Sequence, residues 1–173
     1  MYTVASDVYL NALFNSDIVK EYRLIGFDNQ KSALTDKSTT LEGGEVGSGH
    51  SLMAVFEILP NDVVSLEKIS KDVLLASLQL SYKNPLSDES IKDHFEATNN
   101  YKSLAEADTS LRFASSVIMF GLLLKQSTFS NSYSWDDVYN LAIASAKPDN
   151  LLQKEFIDMV GKAKKIYPAK RKK

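Results

Sequence analysis

The sequence predicts an α+β fold, in which an N-terminal antiparallel β-sheet or half of a sandwich precedes a C-terminal region of three helices. Apolar residues alternate with a period of two through the first half and recur at helical spacing through the second half. Strands grouped before helices are typical of α+β proteins rather than of alternating α/β proteins. We therefore divide the 173 residues into a β-rich portion, 1–100, and a helical portion, 101–173, which together are expected to form one compact unit.

Five strands are predicted in the first portion. The clearest is 73–83, where apolar and polar side chains alternate until Asn84 and Pro85 end the pattern. Segment 51–59 is apolar at consecutive positions, which predicts a central strand covered on both faces. The polar, glycine-containing stretch 28–49 is predicted to be a long loop. The remaining strands are 8–14, 21–27 and, with an alternation broken by Asp93, 90–97.

Three helices are predicted in the second portion. The first lies within 103–126 and is apolar on nearly all sides, which indicates a buried helix. The second begins after Ser134, because Asp137 three residues later completes a capping-box pattern. The third begins near Pro148 or Asp149. The expected inner sides are Trp135, Val138, Tyr139, Leu141 and Ala142 in the second helix, and Leu152, Phe156, Met159, Val160 and Ala163 in the third.

The composition excludes several classes of protein and of site. The chain is 44% hydrophobic and 24% charged, with only 7 Gly and 4 Pro, which is typical of a packed globular protein. No apolar run reaches the roughly 18 residues that span a bilayer, and no signal peptide is recognised. Without cysteine there is no disulfide, thiolate nucleophile or zinc–thiolate site, and two histidines leave little material for a transition metal.

The charge is unevenly distributed. The net charge is −2, but the last twelve residues hold 7 of the 20 basic side chains and no acidic one. The preceding residues hold 13 bases against 22 acids, and an acidic body repels phosphate backbones, so we expect no nucleic-acid partner. The tail 167–173 is predicted to be a solvated end after a helix, where cations complement the helix dipole.

Two segments match ligand-binding motifs in residue type but not in context. Asp36 to Thr40 fits a D-x-S-x-S/T magnesium pattern, but polar residues rather than a buried strand precede it. Gly43 to His50 is as rich in glycine as a phosphate-binding loop, but it leads into a predicted strand and no helix follows. We therefore predict no metal and no cofactor. Within the second segment, either Glu45 and His50 form an acid–base pair, or His50 is a structural imidazole.

No complete catalytic arrangement is found in the sequence, so no catalytic residue is predicted. G-x-S-x-G, H-E-x-x-H and EF-hand patterns are missing. The adjacent Asp136 and Asp137 suit a helix cap better than a carboxylate pair. Arg112, on an otherwise apolar helix, is predicted to pair with Glu106 or Asp108 or to extend to solvent.

Six blocks of the sequence resemble, in order, the C-terminal domain of YfbK-like von Willebrand factor type A proteins. Two are long: EYRLIGFDN at 21–29 resembles the EYRLIGYEN of the family, and GEVGSGHSLMAVFEI at 44–58 resembles its G-E-I-G-A-G-H-x-x-x-A-L-Y-E-I. The four shorter blocks lie at 78–85, 112–124, 133–146 and 155–165.

The resemblance implies a domain of unknown function that follows a von Willebrand A domain in one bacterial polypeptide. The metal-dependent adhesion site of such a protein belongs to the A domain. Many members carry an export or lipoprotein signal, so the resemblance implies a cell-envelope location, periplasmic or surface-exposed, with a possible lipid anchor in upstream sequence. Met1 is then expected to mark the start of a piece rather than the native start.

Two functional hypotheses follow. The first is a non-catalytic accessory and interaction module that supports the upstream A domain and helps to present it to an unidentified protein partner. The alternative is a small-ligand or hydrolytic site at the Gly43–His50 loop with Glu45 and His50, which requires a concave pocket there. The lack of a catalytic constellation and the family context favour the first.

Overall fold

The structure is a computed structural model that describes residues 2–25, 39–42 (backbone only), 44–61, 65–87, 89–127, 130 and 132–167. The chain divides into two compact units, 1–101 and 102–173. The first unit contains strands and a short 3₁₀ turn, and the second contains helices, which confirms the predicted α+β class.

The described residues of the first unit form a five-stranded and a two-stranded antiparallel sheet. The larger sheet contains β1 (Thr3–Phe14), β3 (Thr39–Glu42), β4 (Val46–Gly47), β6 (Leu74–Lys83) and β7 (Ser90–Thr98). Its order is β3-β1-β6-β7, and β4 pairs with the beginning of β1. The smaller sheet pairs β2 (Val19–Leu24) with β5 (Phe56–Pro60), and the 3₁₀ turn is Leu66–Lys68. These bounds confirm the predicted strands at 8–14, 73–83 and 90–97, and place the strand predicted at 21–27 at β2.

The larger sheet has one apolar and one polar face, as the alternation in β6 predicts. The register sets Ala12 opposite Leu78 on the apolar face, and Asn11 opposite Gln79 on the polar one. The smaller sheet packs on one end of the apolar face. There the ring centroid of Phe14 lies 4.5 Å from that of Tyr22 and 5.4 Å from that of Phe56. Burial in this unit is concentrated at that end, at Ala12, Ile18, Val19, Leu24 and Ala76.

The predicted central strand at 51–59 is wrong. Only its last four residues belong to a strand, β5, which pairs with β2 in the smaller sheet. Exposed and half-buried residues alternate along β5, and the preceding Leu52 and Met53 are 80% and 64% exposed. A consecutive apolar run predicts burial only where other elements are available to cover both faces. The interior strands of the larger sheet are instead β1 and β6.

The predicted loop at 28–49 also requires correction. Residues 39–42 and 46–47 are strands that pair with β1, whereas 28–38 and 43 lie outside the described residues. Such short segments acquire strand geometry from long-range hydrogen bonding with β1 rather than from an alternation of their own.

The second unit contains the three predicted helices: α1 (Thr109–Leu124), α2 (Trp135–Ser145) and α3 (Leu151–Ile166). Helix α1 lies within the predicted 103–126 and begins after Asp108, whose carboxylate accepts a hydrogen bond from the Leu111 N–H at 2.9 Å. Helix α3 begins after Asn150, which caps it through the Gln153 N–H at 3.1 Å, rather than at Pro148 or Asp149. Side-chain caps satisfy N–H groups that have no partner within the helix.

The core of the second unit consists of Phe120, Trp135, Val138, Ala142, Phe156, Val160 and Ala163. Two predictions about this core are wrong. Helix α1 is not buried on all sides, because Val117 and Leu124 are 43% and 44% exposed. In α3, Leu152 and Met159 were expected on the inner side but are exposed, since the inner side is the narrower stripe of Phe156, Val160 and Ala163.

The predicted capping box of α2 is confirmed. The Ser134 hydroxyl and the Ser134 backbone N–H donate to the Asp137 carboxylate at 2.7 and 2.8 Å, and these bonds lower the pKa of that carboxyl. The Asp137 N–H donates back to the Ser134 Oγ at 3.3 Å. Because its pKa is lowered, the ionised carboxylate stabilises the fold at pH values above the usual pKa range of Asp. This stability is lost as the pH falls through the lowered pKa.

We therefore expect Ser134→Ala to reduce the free energy of unfolding of the helical unit by about 0.5–2 kcal/mol at neutral pH. The difference between parent and variant should shrink on acidification, because protonated Asp137 no longer accepts these bonds. Urea unfolding followed by Trp135 fluorescence at several pH values measures both quantities. A difference that stays constant down to acid pH would contradict the role assigned to the carboxylate.

Candidate functional site

The predicted Gly43–His50 segment is hydrogen-bonded to the beginning of β1. Strand β4 pairs with Thr3 and Ala5, and the Ser48 N–H donates to the Tyr2 carbonyl at 2.9 Å. A turn follows, in which Gly49 has a φ of +77°, a conformation that L side chains rarely adopt. The described part of the segment, 44–50, is therefore a paired strand and turn rather than an open cradle for a phosphate.

Glu45 and His50 are both exposed and have separate contacts. The Thr3 hydroxyl donates to the Glu45 Oε2 at 2.8 Å, and the His50 backbone N–H donates to the Gly47 carbonyl at 3.1 Å. Within the described residues no hydrogen bond or ion pair joins the two side chains. The structure thus supplies no geometry for the acid–base alternative, and Glu45 serves to fasten its segment to β1.

The other predicted positions are placed as follows. Asp136 pairs with Lys164 across α2 and α3, and Asp137 caps α2. Asp108 caps α1, while Glu106 accepts bonds from the Ser103 hydroxyl and backbone N–H, which lower the pKa of its carboxyl. Neither pairing predicted for Arg112 is seen, and its Nε is buried without a hydrogen-bond partner among the described residues.

Metal chemistry receives no support from the described residues, which contain no group of three His, Asp or Glu side chains able to hold an ion. The magnesium-like pattern at Asp36–Thr40 cannot be placed, since 36–38 lie outside the described residues and only the backbone is described beyond them. Where helices are described, none combines the length and hydropathy needed to cross a bilayer.

Several polar contacts were not predicted from the sequence, because each depends on strand register. Arg23 of β2, only 9% exposed, pairs with Glu57 of β5. On the polar face of the larger sheet, the Ser77 Oγ lies 3.3 Å from the His94 Nε2. That contact is exposed to solvent, whereas a nucleophile and its base act in a concave site. A concavity of about 510 Å³ does lie at the connection from α2 to α3, lined by Lys147, Pro148, Asp149, Asn150, Leu151 and Leu152.

One further feature was missed, because it is apolar. Near the segment 44–50, the large side chains of Tyr2, Leu52 and Met53 are 71%, 80% and 64% exposed. We call these three residues the exposed corner. An alternation of apolar and polar residues can indicate a strand with one exposed face. Residues 51–55 form no strand, so no such pattern predicts their exposure.

Comparison with known proteins shows what the chain is similar to. The model of a family described as "Uncharacterized protein YfbK, C-terminal" matches residues 1–166. "Uncharacterized protein YfbK" of Escherichia coli (strain K12) is 26% identical over 172 aligned residues, covering 91% of this chain and 29% of the relative. The chain therefore spans less than a third of the length of that relative. No solved structure gives a significant match.

Proposed function

Because the chain belongs to the family of YfbK C-terminal domains, we propose that it is a non-catalytic accessory module of a von Willebrand A-type protein. In this role it binds the A domain of the same longer polypeptide and helps to present it to a protein partner. The lengths are compatible with this role, since more than two thirds of the E. coli relative lies outside the aligned part.

The observation that carries the proposal is the exposed corner. Leu52 and Met53 are neighbours in the chain, and Tyr2 is bonded to the turn before them through the Ser48 N–H. Contiguous exposed apolar side chains mark surfaces for other proteins. Leu52 and Met53 lie between β4, which is hydrogen-bonded to β1, and β5, which is hydrogen-bonded to β2. Both ends of their segment are therefore held by strand pairing. A fixed backbone reduces the conformational entropy lost on binding.

A non-catalytic role is supported by the contacts of the acidic side chains. The carboxylates of Glu45, Asp108 and Asp137 each accept hydrogen bonds that join two strands or cap a helix, and Glu57 pairs with Arg23. These carboxylates therefore have structural roles. We also propose the bacterial cell envelope as the location, on the basis of the resemblance described above.

The experiment is a titration of the 173-residue chain against the separately expressed A domain of the same polypeptide, by isothermal calorimetry with and without Mg²⁺. We expect saturable binding. The double variant Leu52→Ser, Met53→Ser should weaken it by at least about tenfold, which corresponds to about 1.4 kcal/mol. Binding that depends on Mg²⁺ would place the contact near the adhesion site of the A domain.

The matched control is Leu86→Ser, at an equally apolar and 97% exposed position in the β6–β7 turn. It should bind like the parent. Two results would overturn the proposal: no heat of binding at high micromolar concentration, or equal affinity of the parent and the double variant.

A further inference from the structure

Strand β7 forms one edge of the larger sheet. Among the described residues it pairs with β6 on one side, and no strand pairs with it on the other. Its ladder with β6 begins at the turn, where the Asn84 N–H donates to the Glu89 carbonyl at 2.9 Å. Hydrogen-bonded pairs alternate along an antiparallel ladder, so the odd-numbered residues of β7 bond to β6. The backbone N–H and C=O groups of three even-numbered residues therefore point outward from the edge: Lys92, His94 and Glu96.

The side chains of these three residues lie on the polar face of the sheet and are exposed. The cross-strand neighbours of the two charged ones are uncharged, Ser81 for Lys92 and Ser77 for Glu96. Lys92 and Glu96 are four residues apart on one strand, about 13 Å, which is too far for a direct ion pair. In the part of the chain that the structure describes, neither has an ion pair with another residue. The edge thus carries one positive and one negative charge without a counter-charge nearby.

The order of these charges is complementary to itself. When a second β7 lies antiparallel along the edge with His94 opposite His94, each Lys92 lies opposite Glu96 of the other copy. The three residues in this register are the ones whose backbone groups point outward, so each opposed pair exchanges two N–H···O=C hydrogen bonds. Opposite charges at directly opposed positions stabilise paired strands, whereas like charges destabilise them. Backbone and side chains therefore favour the same register.

Neighbouring registers lack this match. A register centred on Lys92, Asp93 or Glu96 sets that residue opposite its own copy, so like charges meet. A register centred on Phe95 keeps the outward backbone groups paired but moves Lys92 opposite an uncharged residue. Of the registers centred within 92–96, only the one centred on His94 gives both charges an opposite partner.

We propose that β7 is a dimerisation edge, at which the β7 strands of two copies of this chain pair antiparallel across a two-fold axis at His94. The larger sheets of the two copies then continue as one sheet, which is strand addition to an open edge. On the apolar face, Phe95 lies opposite Leu78 of β6 and is 53% exposed. In the proposed register it lies opposite Asp93 and diagonal to Phe95 of the second copy, within reach of an aromatic ring. Pairing thus covers apolar surface that the single chain leaves in water.

The test is sedimentation equilibrium of the full 173-residue chain at neutral pH. We expect a reversible dimer. Lys92→Glu and Glu96→Lys each replace two attractive pairs with two repulsive ones, and each should raise the dissociation constant of the dimer by at least about tenfold. The matched controls are Lys154→Glu and Glu155→Lys, which change the net charge equally at exposed positions of α3 and should dimerise like the parent.

Restored affinity identifies the register. The double variant Lys92→Glu, Glu96→Lys again places opposite charges across the edge, and its dissociation constant should return close to that of the parent. An equimolar mixture of the two single variants should likewise form a heterodimer, because both of its opposed pairs are attractive. All of these positions are exposed, so melting temperatures close to that of the parent verify that the variants fold.

Amide hydrogen exchange locates the contact on the backbone. The outward N–H groups of Lys92, His94 and Glu96 should exchange more slowly as the chain is concentrated through its dissociation constant, because they become bonded in the dimer. The proposal is overturned by a chain that stays monomeric at high micromolar concentration, by a dimer that the single variants retain, or by one that the double variant and the mixture fail to restore.

A different contact between copies gives a different result. A dimer that is lost in the double variant Leu52→Ser, Met53→Ser but retained in Lys92→Glu lies at the exposed corner, and this result also overturns the proposal. Strand β7 contains none of the residues of the exposed corner. The dimerisation edge and the proposed binding of the A domain can therefore fail independently.

Discussion

Replacing Phe156 by Ala is expected to lower the free energy of unfolding of the helical unit by about 3–5 kcal/mol. The Phe156 side chain is 9% exposed, and its ring makes the edge-on contacts with Phe113 and Phe120 that join α3 to α1. Truncation removes the transfer free energy of the ring and leaves a cavity that two neighbouring helices cannot close without moving. Denaturant unfolding followed by fluorescence reports on this unit alone, because the single tryptophan, Trp135, belongs to the same core.

The matched control is Leu152→Ala on the same helix. Leu152 is 76% exposed, so its truncation should change the free energy of unfolding by no more than about 0.5 kcal/mol. Both substitutions place Ala in the helix, so propensity differences are small. A loss at Leu152 comparable to that at Phe156 would mean that Leu152 is covered in solution, and a small loss at Phe156 would contradict the assigned core.

The parts of the fold that the sequence predicted are those specified locally. The capping box of α2 requires only Ser134 and Asp137 at a fixed spacing, and it was predicted at the correct residue. Strand β6 carries an alternation long enough to show both its type and its apolar face. Such signals do not depend on what the element packs against.

The parts that were wrong depend on distant partners. Whether 51–59 lies inside a sheet depends on which strands pair with it, and the pairing of β5 with β2 leaves Leu52 and Met53 outside any strand. Likewise α1 is apolar on most sides, but Phe120 and Leu122 are buried whereas Val117 and Leu124 are exposed. Hydropathy gives the preference of a residue for burial and cannot say how much protein is available to cover it.

The candidate sites divide in the same way. Sequence motifs pointed to Glu45 and His50. Both side chains are exposed, and no hydrogen bond or ion pair connects them among the described residues. The exposed corner contains Leu52 and Met53, apolar side chains that the sequence assigned to a strand covered on both faces. An exposed apolar surface can be recognised only when the buried positions are known. Reading hydropathy alone therefore predicts too large a core and no interaction surface.

Replacing Asn99 by Ala is expected to destabilise the β unit by about 1–3 kcal/mol. The Asn99 side chain is 2% exposed, and its Nδ2 donates to the carbonyls of Leu66 and Ile69 at 2.8 and 3.1 Å. The Asn99 backbone N–H donates to the Val73 carbonyl at 2.9 Å, so one residue joins the end of β7 to the 3₁₀ turn and the start of β6. Alanine leaves two carbonyls without their donor, and the local loss should appear as faster amide hydrogen exchange in β6 and β7.

Two variants separate the hydrogen bonds from the volume of the side chain. Asn99→Asp retains the shape, but its ionised form has no proton to donate and directs a charge toward two carbonyl oxygens. It should therefore destabilise at least as much as alanine at neutral pH, and less in acid, where the protonated carboxyl can donate one bond. Asn100→Ala, at the exposed neighbouring position, should leave exchange in β6 and β7 unchanged. Equal effects at positions 99 and 100 would mean that the Asn99 side chain has no special role at the end of β7 and that water satisfies the two carbonyls.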